Sequence, residues 1–246
     1  MDFKKNVLNI LKRIFIIVLI SIVTNSCNSQ NTVAKEDYTY KTGDPNGIGK
    51  WYMDREIAHV MGFQAMDWLD RPEREEEENT NILLKNMNIK LDDTIADIGA
   101  GSGYHVFKMA PMANNGFVYA VDIQDEMLEE IRKNAKIGDV NNVEVIKGSE
   151  KSVNLPENSV DKVLMVDVYH EFNFPKEMLG SIKTALRKDG EIYLIEYRGE
   201  DESVPIKTLH KMTEKQAVKE MNAGGFKLKK NIENLPWQHC MVFIKK

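Results

Sequence analysis

Short apolar runs alternate with amphipathic segments along the chain from residue 94 onwards. The runs at 94–98, 117–122, 142–147 and 162–166 have the length and the apolar character of buried strands. The segment at 125–137 repeats apolar residues at intervals of three and four, which is typical of a helix that packs on one face. This alternation predicts an α/β fold with a doubly wound sheet.

The same alternation continues to the C-terminus. A further helix is expected at 175–186, because apolar residues again recur at helical spacing. Thr213 and Gln216 have the spacing of a capping box, which predicts that another helix begins there. The remaining apolar runs predict three more strands, at 191–197, 226–232 and 239–244.

The first strand ends in a loop with glycines at alternate positions. Gly99, Gly101 and Gly103 follow Asp97 directly after the apolar run. A Cβ atom at such positions would collide with a ligand or forbid the φ values of a tight turn. The loop therefore predicts a ligand lying against bare backbone. The chain should then enter a helix at 104–113, whose free N–H groups face the same ligand.

The second strand ends on a carboxylate, Asp122. Its distance from the first strand's end, about two dozen residues, is that of an acid that grips a ribose, although Asp122 could instead cap the following helix. The spacing G-x-G-x-G differs from the G-x-G-x-x-G of dinucleotide oxidoreductases. Asp97 beside the loop would repel a pyrophosphate and attract an ammonium group. A ligand with a ribose at one end and an amino acid at the other fits best.

The loop and the strand after it resemble motifs I and II of the class I S-adenosylmethionine-dependent methyltransferases. Segments 142–156, 161–172 and 185–196 extend the resemblance in order, so that it covers roughly residues 82–246. It implies a mostly parallel seven-stranded Rossmann-like sheet with an antiparallel terminal strand. It also implies S-adenosylmethionine as cofactor, and in-line displacement of its methyl group onto a small-molecule acceptor.

The resemblance assigns residues to the cofactor. Asp97 is expected near the amino group of the methionine part, Asp122 at the ribose hydroxyls and Ile123 against the adenine. Ser149 stands where many members of the family have an acidic residue that meets the adenine amino group. The predicted cofactor-binding residues are Asp97, Gly99, Ala100, Gly101, Gly103, Asp122, Ile123, Gln124, Ser149 and Asp167.

The tip of the fourth strand carries the candidate catalytic residues, His170 and Tyr169. His170 could act as a general base on a hydroxyl, thiol or acid, because its pKa lies near neutrality, or it could be a structural histidine beside the ligand. Tyr169 could donate a hydrogen bond to the ligand's carboxylate or merely pack. Glu171 could orient His170 or cap the following helix, and His210 is a candidate for the substrate pocket. No cysteine and histidine cluster has metal-ligand spacing, and no metal is expected.

Charge and composition narrow the choice of partner. The 246-residue chain has a formal net charge of -5, and its sequence contains no broad basic patch and no (D/N)PP(Y/W) tetrapeptide of the amino-methylating DNA enzymes. Nucleic acid is therefore not the expected substrate. A non-catalytic nucleoside-binding module of the same fold remains an alternative, and no pattern indicates an oligomeric state.

The N-terminus has the pattern of a targeting signal. Basic residues precede an apolar run at 14–23, which is short for a membrane span but suits a signal peptide. Cys27 follows, as in a bacterial lipoprotein signal cleaved after residue 26. An uncleaved anchor, or a secretory peptide with an incidental cysteine, are the alternatives. We therefore expect a lipid-anchored or periplasmic protein of the bacterial cell envelope, attached to the membrane through its N-terminus.

These patterns divide the chain into a signal peptide at 1–26, a flexible tether at 27–50, an N-terminal helical cap at 51–90 and the Rossmann-like domain at 91–246. The tether is polar and contains several glycines. Apolar residues between Trp51 and Leu69 recur near helical spacing and predict the cap.

Overall fold

The computed structural model describes residues 37–246. The predicted signal peptide, Cys27 and the first part of the predicted tether lie outside these residues. A small antiparallel sheet consists of β1 (Tyr38–Tyr40), β2 (Gly47–Tyr52) and β3 (Arg55–Ala58). The main sheet consists of β4 (Thr94–Ile98), β5 (Phe117–Asp122), β6 (Val143–Lys147), β7 (Val160–Val166), β8 (Leu186–Tyr197), β9 (Phe226–Asn231) and β10 (Gln238–Lys245).

The main sheet has seven strands in the order β6-β5-β4-β7-β8-β10-β9. Strands β4 to β8 pair in parallel, whereas β10 runs antiparallel to both β8 and β9. The predicted fold class is therefore confirmed. The chain moves outward from β4 to β6 and then crosses back to β7, so the strand order reverses beside β4. Open α/β sheets bind their ligands at such a switch point, beyond the carboxyl ends of the strands.

Helices cover both faces of the main sheet. Alternate residues of β4 point to opposite sides, since Ile95 belongs to one buried apolar cluster and Ala96 to the other. The first cluster includes Leu83 and Val106, and the second includes Leu179 and Met221. The helices are α1 (Met66–Leu69), α2 (Arg74–Glu78), α3 (Thr80–Met87), α4 (Val106–Met109), α5 (Asp125–Ile137), α6 (Pro175–Ala185) and α7 (Glu214–Ala223).

The N-terminal part of the domain differs from the sequence-based expectation. Residues 38–58, expected to be tether and helix, form the small sheet. Met53 and Asp54 have φ values of 48° and 73°, so they form a tight hairpin turn that no helix accommodates. Ile57 is fully buried in this small sheet. A helix was expected because the spacing between Ile57 and the apolar residues that follow is close to that of a helical face. The placing of domain boundaries stays a prediction.

Other elements begin or end differently from the prediction. Helices α2 and α3 are separated at Asn79. Its left-handed φ of 53° ends α2, and its side chain caps α3. Of the helix expected at 104–113, only α4 is α-helical. Thr213 caps α7 by accepting a hydrogen bond from Gln216 N, as expected. The Gln216 side chain donates to Met53 O rather than returning to Thr213, so the box is only half formed.

A buried ion pair joins the small sheet to the main domain. Arg55 on β3 donates to both carboxylate oxygens of Glu220 on α7, at 2.7 and 2.9 Å. The Glu220 side chain is fully buried and also accepts a hydrogen bond from Tyr169 OH. The side chain of Lys50 on β2 donates to Asn173 O at 2.6 Å. These contacts fix the small sheet beside the carboxyl ends of the main strands.

Candidate active site

A cavity of about 490 Å³ lies at the carboxyl ends of β4, β5 and β7. Its volume falls in the range of roughly 300–1,000 Å³ that is typical of small-molecule sites. Several predicted residues line it together, and they come from the glycine loop and from the ends of β5, β6 and β7. Those residues are Gly99, Gly101, Asp122, Ile123, Gln124, Ser149, Asp167 and His170.

The glycine loop forms the floor of the cavity. Gly99 and Gly101 have φ values of 75° and 56°, a region that side chains disfavour. A Cβ atom on Gly99 would also collide with Val168, and one on Gly101 would approach Leu69 of α1 within 2.5 Å. The glycines are therefore needed for the turn and for the close approach of the neighbouring elements.

Two residues assigned to the cofactor, Ala100 and Gly103, do not line the cavity, so their role in binding stays a prediction. The Ala100 side chain packs into a buried apolar cluster instead. Gly103 lies against the ring of Phe107, where a Cβ atom would stand only 2.7 Å from a ring carbon. Both residues shape the turn from behind and present no surface to the cavity.

Asp122 is held in place by the backbone around it. Its Oδ2 accepts a hydrogen bond from Gly101 N at 3.0 Å, and its Oδ1 accepts one from Gln124 N at 2.9 Å. Burial raises the pKa of this carboxyl above its usual value, against the lowering effect of those bonds. Each carboxylate oxygen has a second lone pair, which suits a vicinal diol. Gln124 rather than Asp122 is the N-cap residue of α5, so the capping alternative is not realised.

Asp97 is buried next to the cavity without lining it. Its Oδ2 has no hydrogen-bond partner among the described residues. Burial raises the pKa of the carboxyl to about 7, the nearby Arg74 guanidinium lowers it in part, and the charge of Asp122 adds to the increase. An orphaned buried acceptor of this kind suits a ligand that brings a hydrogen-bond donor, and an ammonium group above all.

Arg74 lines the cavity, although no sequence pattern indicated it. It is 5% exposed, and it donates to Glu78 Oε2 at 2.8 Å and to Leu69 O at 2.7 Å. Glutamates at 73 and 75–78 surround it in the sequence, a composition that is typical of a solvated helix start. Only the fold turns this arginine inward and places its positive charge near Asp97.

We expect Asp97→Asn to stabilise the ligand-free protein, and more so as pH rises. The folded state keeps a proton that the unfolded chain releases, between the ordinary pKa of 3.8 and the raised value of about 7. The parent's free energy of unfolding therefore falls as pH rises through that window, and the amide avoids the loss. Urea unfolding should show an advantage on the order of 1–3 kcal/mol above about pH 7 that shrinks towards pH 4.

The exposed carboxylate of Asp125 provides the control for this prediction, because Asp125→Asn should give no such trend. An advantage of Asp97→Asn that is the same at every pH would contradict the burial of a titrating carboxyl.

Residues 59–65, here called the strap, cross the mouth of the cavity between β3 and α1. Gln124 binds the strap twice, with Phe63 N donating to its Oε1 at 2.8 Å and its Nε2 donating to Met61 O at 3.0 Å. On the other wall, Met61 N donates to Glu171 Oε1 at 3.0 Å. Gln124 thus holds the strap, a role that the sequence did not indicate. Ile123 is 38% exposed and offers an apolar surface beneath it.

Two further predicted residues lie on opposite sides of the cavity. Ser149, after β6, is exposed, and its backbone N–H donates to Ser152 O at 2.8 Å. Asp167, after β7, has a left-handed φ of 49° and accepts a hydrogen bond from Gln238 on Oδ2, while its Oδ1 has no partner among the described residues. Burial, and then the negative charges of Glu78 and Glu196, raise the pKa of Asp167 well above its usual value.

His170 is 1% exposed and bound to a carboxylate. Its Nδ1 lies 2.6 Å from Oε2 of Glu196 on β8. In the neutral imidazole, this bond makes Nδ1 the protonated nitrogen and directs the lone pair of Nε2 away from Glu196. Burial lowers the pKa of His170, but the charge and hydrogen bond of Glu196 outweigh burial, so the pKa is raised overall. No sequence pattern had paired Glu196 with His170.

Glu171 and His210 complete a cluster with His170. Nε2 of His170 lies 3.2 Å from Nδ1 of His210. Oε1 of Glu171 lies 3.8 Å from Nε2 of His170 and 3.6 Å from Nδ1 of His210. Burial raises the pKa of Glu171 to about 7 and lowers that of His210 to about 4. His210 is therefore neutral at physiological pH.

Tyr169 does not line the cavity, so the structure does not bring it together with the other predicted site residues. Its side chain is fully buried, and its hydroxyl donates to Glu220 Oε2 at 3.0 Å. The ring packs edge-on against Phe172. The short turn after β7 points consecutive side chains in different directions, so that His170 reaches the cavity while Tyr169 supports the small sheet.

The comparisons with known proteins agree with this architecture. A family model described as a methyltransferase domain matches residues 89–239, more than half of the chain. YcgJ of Bacillus subtilis, named an uncharacterized methyltransferase, is 24% identical over 129 residues, which are 52% of this chain and 50% of YcgJ. The ubiquinone/menaquinone biosynthesis C-methyltransferase UbiE of Wigglesworthia glossinidia brevipalpis is 26% identical over 119 residues, 48% of each protein. The chain thus spans about half the length of these curated relatives.

A solved structure extends the likeness to the fold. The SAM-dependent methyltransferase from Aquifex aeolicus superposes with a TM-score of 0.71 at 24% identity, and the match covers 75% of this chain and 98% of that one. The chain belongs to the methyltransferase-domain family and has the class I, Rossmann-like fold. S-adenosylmethionine is the cofactor of this class, so the predicted class and cofactor are confirmed. The orphaned acceptor of Asp97 and the paired lone pairs of Asp122 suit its ammonium group and ribose.

The predicted location in the cell envelope is wrong. The two relatives and the solved structure reported above are all named as methyltransferases, and none of them is named as an anchored or envelope protein. Within residues 37–246, no helix combines the length and apolar character that crossing a bilayer requires. Cys27, on which the lipid anchor depended, lies outside the described residues.

Proposed function

We propose that this enzyme transfers the methyl group of S-adenosylmethionine to a small-molecule acceptor whose nucleophile carries an ionisable proton. The observation that carries the proposal is the continuity of the cavity, which extends from Asp122 at the ribose end to His170, Glu171 and His210 at the other. The strap covers it, and a volume of about 490 Å³ suits the cofactor with a compact acceptor better than a polymer.

The cofactor's orientation follows from the charges around the cavity. Asp122 would accept from the ribose hydroxyls, and Ile123 would pack on the adenine near Ser149. Asp97 would take the ammonium group, and Arg74 the carboxylate, since the two lie beside each other near the glycine loop. With both ends of the cofactor held, its sulfonium methyl would be directed towards the part of the cavity that contains His170.

The chain's own residues would then orient and desolvate the reactants. The methyl group on a sulfonium is already activated, so catalysis needs the nucleophile, the methyl carbon and the sulfur in line. Such positioning supplies about 7–11 kcal/mol in favourable cases. The His170, Glu171 and His210 cluster offers nitrogen and oxygen lone pairs that would accept the proton which the nucleophile loses. The general-base role of His170 itself stays a prediction.

Calorimetry and a turnover assay test this proposal. We expect S-adenosylmethionine and its demethylated product to bind, NAD not to bind, and labelled methyl to appear on one or more members of a panel of small hydroxyl and thiol compounds. Binding of NAD alone would contradict the cofactor. Labelling confined to nucleic acid or protein would contradict the acceptor class.

We expect Asp122→Ala to weaken binding of S-adenosylmethionine by about 1.5–3 kcal/mol, because it removes a charge-assisted pair of hydrogen bonds to the ribose. This corresponds to an increase in the dissociation constant of about 10- to 140-fold. Calorimetry measures the change directly. Asp125→Ala is the matched control, because its carboxylate is 75% exposed and lies outside the cavity. Equal affinities of Asp122→Ala and the parent would rule out the ribose contact.

A further inference from the structure

We propose that His170, Glu171 and His210 bind a divalent transition-metal ion of the zinc type at the acceptor end of the cavity. The three potential ligand atoms are Nε2 of His170, Nδ1 of His210 and Oε1 of Glu171, separated by 3.2, 3.6 and 3.8 Å. Ligand atoms arranged tetrahedrally around zinc stand about 3.4 Å apart. The cluster is therefore close to the required geometry before any ion binds.

The donor set is that of a catalytic metal site. Two imidazole nitrogens and one carboxylate oxygen are the ligands of several zinc hydrolases and of non-haem iron sites, in which at least one position stays open. All three residues line the cavity, so an ion held by them would face it with a position free for substrate. The inference rests on the proposed function and extends it, because it names how the acceptor is held.

The surroundings of His170 and Glu171 support metal binding. Ligand histidines usually donate their other ring N–H to a carboxylate, which fixes the ring and raises its basicity. Nδ1 of His170 lies 2.6 Å from Glu196 Oε2, and the backbone N–H of His170 also donates to Glu196 Oε1. Met61 N donates to Glu171 Oε1 at 3.0 Å, which fixes that oxygen and leaves it a second lone pair.

A simple hydrogen-bonded cluster would look different. His170 and His210 are within hydrogen-bond distance of each other, but Glu171 Oε1 is 3.6 and 3.8 Å from the two nitrogens. Those separations are too long for hydrogen bonds. A carboxylate oxygen thus faces two imidazole nitrogens without bonding to either, which is the arrangement that a shared cation would connect.

A bound ion would define the acceptor as a molecule with a metal-coordinating hydroxyl or thiol. Coordination lowers the pKa of that group, and its proton passes to solvent. The lone pair of the resulting anion forms the new bond to the methyl carbon, while the carbon–sulfur bond breaks and sulfur keeps the electron pair as a neutral thioether. The metal changes no oxidation state. His170 then acts as a ligand, since one lone pair cannot hold both the metal and a proton.

Cobalt(II) is the probe for the site, because its visible absorption reports nitrogen and oxygen coordination. We expect the full chain, freed of metal with a chelator, to bind one Co²⁺ with a visible band that Zn²⁺ displaces. His210→Ala and Glu171→Gln should each weaken binding at least about tenfold, as loss of a ligand or its support does. His59→Ala is the matched control, because His59 is an exposed histidine near His210 that contributes no atom to the cluster.

The outcomes distinguish the metal-site proposal from the methyltransferase proposal. If Co²⁺ does not bind while S-adenosylmethionine still does, the metal site is wrong and the methyltransferase proposal stands. If His210→Ala and Glu171→Gln bind Co²⁺ as tightly as the parent, the ion lies elsewhere and the assignment is overturned. If the Co²⁺ band is present but S-adenosylmethionine fails to bind, the proposed function fails instead.

Discussion

Replacing His170 by alanine is expected to lower the turnover number about 10²- to 10⁴-fold, the range for loss of a group that handles the proton of a reacting nucleophile. Affinity for S-adenosylmethionine should change by less than about threefold, because the groups expected to bind the cofactor are Asp97, Asp122 and Arg74. The same Nε2 lone pair is lost whether it takes the proton itself or holds the metal ion. Steady-state kinetics and calorimetry on one preparation give both quantities.

Glu196→Gln provides a graded comparison for His170→Ala. The amide keeps the shape of the side chain 2.6 Å from His170 Nδ1 but removes its charge, so turnover should fall less than in His170→Ala. His59→Ala controls for a general effect of removing a histidine. If His170→Ala weakened cofactor binding as much as turnover, His170 would be a structural residue of the cofactor site.

Replacing Glu220 by alanine is expected to lower the free energy of unfolding by about 3–5 kcal/mol, because it leaves a buried charge without its partner. Arg55 is 9% exposed at its side chain and bonded to both oxygens of Glu220. Tyr169 OH would lose its acceptor as well. Urea unfolding followed by circular dichroism measures the loss. Glu220→Gln, which keeps two polar atoms in place, should cost less and remain measurable if the alanine variant does not fold.

Lys219 gives a matched control for Glu220. Lys219 directly precedes Glu220 on α7, and it pairs with Asp54 across the same interface. The side chains of this pair are exposed, Lys219 to 40% and Asp54 to 91%. Exposed pairs contribute only about 0–1 kcal/mol, so Lys219→Ala should leave stability nearly unchanged. Similar losses for Lys219→Ala and Glu220→Ala would mean that burial of the ion pair does not determine its contribution.

The sequence predicted the parts of the site that follow directly from a strand end. Gly99, Gly101 and Asp122 could be located because an apolar run, a glycine loop and a strand-terminal acid occupy fixed positions in a βαβ unit. Those residues need only local geometry to reach the cavity. The same holds for His170, which comes directly after β7.

Residues that enter the site through the tertiary fold could not be found this way. Glu196 and Arg74 lie on separate segments, and each stands in an unremarkable sequence context, Glu196 near a strand end and Arg74 in an acidic run. The small sheet was missed because Met53 and Asp54 adopt positive φ values without a glycine to indicate them. The sequence also could not show that Tyr169 lies away from the cavity, because neighbouring residues of a short turn direct their side chains differently.

The strap also bears on how the enzyme would pass from one cycle to the next. Its backbone is bound to one wall by Gln124 and to the other by Glu171, so a nucleoside bound at the glycine loop as proposed would lie beneath it. We expect the spent nucleoside to be exchanged for a fresh one while those bonds are open. Departure of the product would then set an upper bound on the rate that is independent of methyl transfer. Glu171 would take part in both methyl transfer and exchange, because it belongs to the cluster with His170 and His210 and also binds the strap through Met61 N.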